Sequence, residues 1–330
     1  MMRESHNAAR RNAMRTIAIA PVLALDIANH RVLAGPTPVR LILPVAPASS
    51  VDIGARAVQP ELARALGSPV VIENVPGAGG LLGTLALIKA APDGTTLALV
   101  SVNLVIFPNL YKAVPFDPVR DVTPIAIIGA APLVIVGNPK LPAKNARELV
   151  ALMKERPGKL NFGSSGNGTQ LHLGGALFLK EVGAKANHIP YKGVGPMISD
   201  LIGGQIDWCV SALPSVQQYI ADGTLRGIGV ASLNRAPTAP DLPTFAEQGI
   251  PNFQIEGWSA MIAPKGLPPA QADRIHSAIV QAYGTPAVKE TMSKLGSIIR
   301  VSSREEAVRF LSSEQRRYSE LVKEAGLQLG

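Results

Sequence analysis

Residues 159–172 read KLNFGSSGNGTQLH, a short apolar run that ends in a loop of glycines and small polar residues. Leu171, Leu173 and Leu177 then begin an apolar pattern close to helical spacing. The stretch therefore predicts a strand, a tight loop and a helix N-terminus. The first turn of a helix has unpaired N–H groups and the positive end of the helix dipole, so a loop of such small residues lets an anion approach the backbone. The alternative is a Gly/Ser turn with a capping Ser or Thr and no ligand.

The same alternation of apolar runs and helical patterns extends along the chain on both sides. Before this stretch, it predicts strands at 39–45, 70–73 and 95–100, with helices at 52–66 and 81–90. From residue 146 onward it predicts helices at 146–156, 169–182, 196–202 and 214–221, and strands at 160–163, 186–189, 205–210 and 225–231. The C-terminal part predicts helices at 269–283, 286–295 and 304–324, with a strand at 297–301. Strands that alternate with helices form parallel sheets, so the fold class predicted is α/β.

Two proline-rich stretches interrupt this alternation and indicate two crossings between lobes. After the first one, residues 125–136 form an apolar run long enough for two strands, or for one strand that passes between lobes. After the second, residues 253–263 read as a strand that returns to the first lobe. We therefore expect one lobe from residues 36–131 plus 255–330 and another from residues 132–254, hinged about a cleft.

The composition excludes several classes of protein and site. With 47% hydrophobic and 17% charged residues in 330, the chain can bury a substantial core. The formal charge is +8, but the basic residues are scattered and rarely flanked by aromatic ones, so no nucleic-acid partner is expected. Cys209 is the only cysteine, and the five histidines show no metal-binding spacing. We expect neither a metal ion nor a cofactor.

Residues 1–34 are typical of a secretory signal peptide. Basic residues precede an apolar run of ten at 16–25, and small residues suited to cleavage lie near Ala34. This pattern predicts export from the cytoplasm; the alternative is an N-terminal extension on a cytoplasmic protein. No later run is long and apolar enough to span a bilayer.

Three further features have competing interpretations. Residues 77–83 read GAGGLLG, but the last glycine is one residue late for a dinucleotide fingerprint and no acidic residue ends the next strand, which favours a close-packed turn lining the cleft. Ser164 or Ser165 with His172 as base would make a serine hydrolase, although a nucleophile elbow needs glycine where Asn167 stands. Trp258 is either core or pocket wall, and core is the preferred interpretation.

Several motifs, in order, resemble those of one family. They are VVIENVPGAGG at 70–80, AAPDGTTL at 90–97, PGKLNFGSSGNGT at 157–169, HIPYKG at 188–193, DLIGGQID at 200–207, LPS at 213–215 and APDLPT at 239–244. From about Val39 to its C-terminus, the chain resembles the Bug family of periplasmic receptors, the substrate-binding components of tripartite tricarboxylate transporters.

The resemblance implies a two-lobed periplasmic-binding fold of type II, with two parallel-rich sheets flanked by helices and a ligand cleft between the lobes. It also implies a monomer, not an enzyme, that binds a small carboxylate: a di- or tricarboxylate, an amino acid or an aromatic acid. Such a receptor delivers its ligand to membrane subunits of the transporter or acts as a sensor.

The family's binding loops map onto this chain, and we expect ligand contacts from both lobes. The expected ligand-binding residues are Pro47, Ala48, Ser49, Ser50, Asn103, Ser164, Ser165, Gly168, Thr169, His172, Tyr191 and Ser211. The principal anion site is expected in the 164–169 loop, through backbone N–H groups. Two positions depart from the family pattern: Ala48 and Ser49 stand where glycines are usual, and Ser211 stands where an acidic residue is common. Without that carboxylate, the pocket holds an amine less well.

Overall fold

A computed structural model of the chain describes residues 37–110, 114 and 116–328. The predicted signal peptide at 1–34 lies outside these residues. The strands are β1 (Val39–Leu43), β2 (Val70–Asn74), β3 (Thr96–Ser101), β4 (Val122–Gly137), β5 (Asn161–Ser164), β6 (Asn187–Pro190), β7 (Trp208–Ala212), β8 (Arg226–Val230), β9 (Glu256–Pro264) and β10 (Ile298–Ile299). The helices are α1 (Ser50–Leu66), α2 (Leu81–Ile88), α3 (Asn103–Leu110), α4 (Ala146–Glu155), α5 (Gln170–Glu181), α6 (Val194–Gly203), α7 (Leu213–Ala221), α8 (Pro269–Gly284), α9 (Pro286–Lys294) and α10 (Arg304–Ala325).

Both predicted βα series form parallel strand pairs. In the first series β1 pairs with β2 and β3, and in the second β5 pairs with β6 and β7. The carboxyl ends of these strands lead into α1, α3, α5 and α7. Loops at the carboxyl ends of neighbouring parallel strands lie on one edge of a sheet. Within each series, the parallel pairing therefore places the predicted binding loops at the same edge of the sheet.

β4 joins the two series. Its first part, Val122–Pro132, pairs antiparallel with β9, and Leu133–Gly137 pairs antiparallel with β7 and β8. The resulting strand order is β2-β1-β3-β9-β4-β7-β5-β6, and the sheet is mixed because β4, β9 and β10 run antiparallel to their neighbours. The apolar run at 125–136 is thus one strand rather than two. Its change of partners at Leu133 is compatible with the predicted lobes, which stay a prediction.

One helix was not predicted. α3 lies in the proline-rich stretch that we expected to be irregular, and Pro108 is inside it. Leu104, Val105, Ile106 and Phe107 are all buried. A helix that is buried all round shows no amphipathic period, so the sequence gives no helical signal there.

Two absences hold for the described residues. None of their helices is both long and apolar enough to cross a membrane. They also contain no cluster of three or more His, Cys, Asp or Glu side chains placed to hold a metal ion.

Candidate functional site

A cavity of about 120 Å³ lies where the loops of both βα series meet. The loop from β1 into α1, the end of β3 and the middle of β4 form part of its wall. The start of α5, β9 and the segment around β10 complete it. The cavity therefore lies at the edge where the parallel strands deliver their loops, which is the usual position of a ligand in an open α/β sheet.

No charged side chain of the described residues lines this cavity. Its polar side chains have hydroxyl, amide or indole N–H groups and belong to Ser49, Ser50, Ser101, Asn103, Ser165, Thr169, Gln170, Ser215, Trp258, Ser259, Tyr283 and Ser297. The apolar part of the wall includes Leu133, Trp258 and Met292. A cavity of this kind neither repels an anion with carboxylates nor attracts it with lysine or arginine.

Several helix N-termini contribute to the wall, among them those of α1 and α5. α1 begins after Ser49, whose hydroxyl accepts the Asp52 N–H at 3.2 Å, and α5 begins after Thr169, whose hydroxyl accepts the His172 N–H at 3.4 Å. Short polar residues at these caps leave the first turns open to the cavity. The dipoles of both helices therefore make it electropositive without a cation.

Several backbone N–H groups of the wall have no acceptor within the part of the chain that the structure describes. Among them are those of Ser50 and Val51 at the start of α1, and of Ser165 and Leu171 in and after the 164–169 loop. A buried N–H group without a partner is costly. These amides are therefore suited to receive the oxygens of an anion.

The 164–169 loop uses several of its own donors internally. The Gly166 N–H donates to the Ser164 hydroxyl at 3.2 Å, and the Thr169 hydroxyl donates to the Gly166 carbonyl at 2.8 Å. The Gly168 N–H donates to Nδ1 of His172 at 3.2 Å. Gly168 has a φ of 73°, which a side chain would strain. The free amides of this region that belong to cavity-lining residues are consequently those of Ser165 and Leu171, while that of Gly168 is engaged.

Two histidines lie beneath this loop. The rings of His172 and His188 stack with centroids 3.7 Å apart and planes within 5°. His188 also packs against Phe162 at 4.9 Å. The pKa of each histidine is lowered from 6.5 to about 4, for His172 by burial and for His188 by burial together with repulsion from His172. Both rings are therefore neutral near pH 7.

The expected ligand-binding residues divide into two groups. Those that line the cavity are Ser49, Ser50, Asn103, Ser165 and Thr169, while Pro47, Ala48, Ser164, Gly168, His172, Tyr191 and Ser211 do not. Ser164 and Ser211 are fully buried, and the Tyr191 hydroxyl donates to Asp200 at 2.9 Å. Local sequence identifies the loop, but it does not reveal which side chains turn inward.

The structure shows a different partner for Ser164 in the hypothetical serine–histidine pair. The Ser164 hydroxyl is 2.7 Å from Nε2 of His188, and its hydrogen bonds among the described residues do not include His172; it is also fully buried. His188 lies on β6, and the parallel register between β5 and β6 brings the two together. The two residues are 24 positions apart, so no local sequence pattern predicts this contact. The glycine-rich turn at 77–83 does not line the cavity, but its Gly79 carbonyl accepts a hydrogen bond from Asn103.

Sequence reasoning missed several wall residues. Ser101 ends β3, Ser215 belongs to the LPS motif after β7, and Ser259 lies on β9. Ser101 and Ser215 lie at or shortly after the carboxyl end of a strand, so the sequence pattern could have identified them as candidates. Trp258 lines the cavity and is also a buried core residue, with only 6% of its surface exposed. Its Nε1 donates to Glu314 at 2.7 Å. Core and pocket wall are thus both correct for this side chain.

Ala48, which stands where the family usually has glycine, has an unusual backbone conformation. Ala48 has a φ of 65°, in the left-handed region where glycine is favoured, and its N–H donates to Asp52 at 3.1 Å. The loop before α1 thus keeps a glycine-like conformation although the side chain is present.

Comparisons with known proteins agree with this architecture. The family model described as "Tripartite tricarboxylate transporter family receptor" matches residues 54–327. Protein BugT of Bordetella pertussis is 36% identical over 294 residues, which cover 88% of this chain and 90% of that protein. The periplasmic binding protein BugD has a similar structure, with a TM-score of 0.85 and 31% identity over 88% of this chain and 98% of BugD.

A third similar protein has a ligand. MatC from Rhodopseudomonas palustris, solved with bound malate, has a TM-score of 0.82 and 26% identity, over 87% of this chain and 99% of MatC. The likenesses confirm the predicted α/β periplasmic-binding fold. Since the family model covers most of the chain and BugT is similar over nearly its whole length, the chain belongs to the Bug family of tripartite tricarboxylate transporter receptors.

Proposed function

We propose that this receptor captures a small dicarboxylate in the cavity and delivers it to the membrane subunits of a tripartite transporter. One observation carries the proposal: helix N-termini, including those of α1 and α5, and free amides line a cavity that no charged side chain of the described residues enters. Such a site stabilises negative charge through fixed dipoles. A charge-assisted hydrogen bond contributes about 1.5–3 kcal/mol, so a few of them support micromolar affinity after ordering costs.

Contacts across the cavity support closure of two lobes about the ligand. The side-chain oxygen of Asn103, on α3, accepts the Gln170 N–H at 2.9 Å, and the Ser215 hydroxyl donates to the Ala48 carbonyl at 3.3 Å. In the proposed division at residues 131/132 and 254/255, each bond joins one lobe to the other. Opening about β4 and β9 would break these bonds and expose the cavity to solvent.

The absence of an acidic wall residue favours dicarboxylates over α-amino acids. An ammonium group needs a carboxylate or several carbonyl acceptors, and burying it without them is costly. Among the described residues no carboxylate lines the cavity, and Ala212 lies there next to the buried Ser211. The malate bound by MatC is a dicarboxylate without an amine.

We therefore expect malate or succinate to bind at least about 10-fold more tightly than aspartate, a difference of about 1.4 kcal/mol. Isothermal titration calorimetry at pH 7.5 measures both affinities. Native mass spectrometry of protein purified without refolding identifies any ligand retained from the cell. Equal or tighter binding of aspartate would contradict this selectivity, and failure of every dicarboxylate and tricarboxylate to bind would contradict the proposed function.

We also propose that residues 1–34 direct export to the periplasm. The basic start and the apolar run at 16–25 support it, as does membership of a family of periplasmic receptors. Mass spectrometry of the mature N-terminus in fractionated cells tests it. An intact Met1 in the cytosolic fraction would contradict export.

A further inference from the structure

The imidazole ring of His172 accepts a hydrogen bond from the 164–169 loop. Its Nδ1 accepts the Gly168 N–H at 3.2 Å, and the side chain is 8% exposed. Because Nδ1 accepts, it carries no proton, and the proton of the neutral ring is on Nε2. The loop shape thus depends on one protonation state of one ring.

Protonation of His172 would turn this contact into a clash of donors. An imidazolium has N–H groups at both nitrogens, so the Gly168 N–H would face a second donor. Gly168 would have to move, and it lies three residues from both Ser165 and Leu171, which line the cavity and have free amides. A change at Nδ1 therefore reaches the proposed anion site through this short segment.

His188 packs against His172 and supports the same loop. The two rings lie face to face at 3.7 Å, and Nε2 of His188 is 2.7 Å from the Ser164 hydroxyl. Ser164 in turn accepts the Gly166 N–H and donates to the Gly166 carbonyl. The stacked pair thus supports the loop at both ends, at Gly166 through His188 and at Gly168 through His172.

The surroundings of the pair leave the rings without a counter-ion. Cys209 on β7 is buried, the Tyr191 hydroxyl after β6 is engaged by Asp200 of α6, and Asp207 before β7 accepts the Asn161 N–H of β5. On α10, Glu314 is engaged by Trp258 and Arg317. Among the described groups none of these contributes to the lowered pKa of His172, which has burial as its cause, and only His172 contributes to that of His188.

We propose that neutral His172 is a positioning residue for ligand binding: by accepting the Gly168 N–H, it keeps the Ser165 and Leu171 amides aimed at a carboxylate, and its protonation releases the ligand. The inference rests on the proposed function and deepens it. It also changes the expected role of His172 from ligand contact to support of the loop.

The first test compares two variants with malate as the probe. His172→Asn keeps a side-chain oxygen near the position of Nδ1 and cannot titrate, whereas His172→Leu fills similar space without an acceptor. At pH 7.5, His172→Leu is expected to weaken malate binding by about 10-fold or more, the usual effect of leaving a buried N–H unpaired, and His172→Asn is expected to restore most of this loss. His276→Gln is the matched control, since His276 bonds the Ser302 carbonyl from α8; it should stay within about 2-fold of the wild type.

The second measurement is a pH profile, which a merely structural role would not change. Between pH 7.5 and pH 4, the affinity of the wild type should fall at least about 2-fold more than that of His172→Asn, because a group at its pKa is half protonated. Protonation of malate affects both proteins equally and cancels in the ratio. Parallel profiles, or an Asn variant as weak as a folded Leu variant, would overturn the proposal.

A third readout separates this inference from the proposed function. In ¹⁵N-labelled ligand-free protein, a coupling across the hydrogen bond between the Gly168 amide and Nδ1 of His172 is expected at pH 7 and should vanish as His172 titrates. If malate and the other carboxylates fail to bind the wild type, the proposed function is wrong, yet this coupling still decides whether His172 holds the loop. No coupling at pH 7 would overturn the inference even if malate binds.

Discussion

Replacing Ser165 with aspartate is expected to weaken malate binding by at least about 100-fold, or about 2.7 kcal/mol. Ser165 is half-buried in the cavity wall, and its own N–H is one of the free donors. An aspartate there would compete with the ligand for the amides and repel it. Two like charges about 4 Å apart near a protein surface repel by about 4 kcal/mol. Among the residues that the structure describes, no cation lines the cavity to offset this.

Two controls separate charge from other effects of the substitution. Ser165→Ala removes one hydroxyl and is expected to weaken binding by about 10-fold at most. Ser199→Asp adds the same charge on the exposed face of α6, where the hydroxyl donates only to the Gly195 carbonyl, and should leave affinity unchanged. If Ser165→Asp binds malate as the wild type does while remaining folded, the anion site lies elsewhere.

Acid is expected to destabilise the protein from about pH 6.5 downward, well before most carboxylates titrate. Burial lowers the pKa of His172 and His188 from 6.5 to about 4, so the folded protein holds both rings neutral. The unfolded chain binds these protons first, and stability therefore falls as pH falls from 6.5 towards 4. His172 alone accounts for a loss of up to about 3 kcal/mol across this window, at 1.36 kcal/mol per pH unit. His188 adds less, because its side chain is only partly buried.

Urea unfolding between pH 7.5 and pH 4 measures this loss. The variant His172→Asn/His188→Gln has no titrating ring at either site and is expected to show a flatter stability profile across the window. His276→Gln, which keeps the stacked pair, should follow the wild type. A double variant that loses stability with pH as steeply as the wild type would assign the acid sensitivity to other groups.

The order of elements could be predicted because each one has a local signal. α1, α5 and α10 begin after Ser49, Thr169 and Ser303, which all cap their helices with a side-chain hydroxyl. The apolar runs of β1, β3 and β4 give the strands. α3 was missed for two reasons. Its residues are buried on every side, so they show no amphipathic periodicity, and Pro108 lowers the helix propensity of the segment.

The candidate site could be predicted only where it follows a strand. Ser49, Ser50, Ser165 and Thr169 lie in loops after β1 and β5, so the parallel alternation leads to them. Ser259 and Trp258 belong to the site because β9 pairs antiparallel with β4. This pairing joins residues that are far apart in sequence. The His188 contacts with Ser164 and His172 likewise depend on strand register and helix packing. Such contacts have no local signature, so only the folded structure reveals them.

Amide chemical-shift mapping tests the central claim, that helix N-termini and free amides hold a carboxylate without a cation. The ¹⁵N-labelled protein is titrated with malate at pH 7, and with succinate and adipate in separate samples. The largest shift changes are expected at the amides of Ser50, Val51, Ser165 and Leu171, all of which line the cavity without an internal acceptor among the described residues. Saturable binding that leaves these four amides unmoved, with changes clustered instead around exposed basic residues such as Arg317 and Arg235, would contradict it.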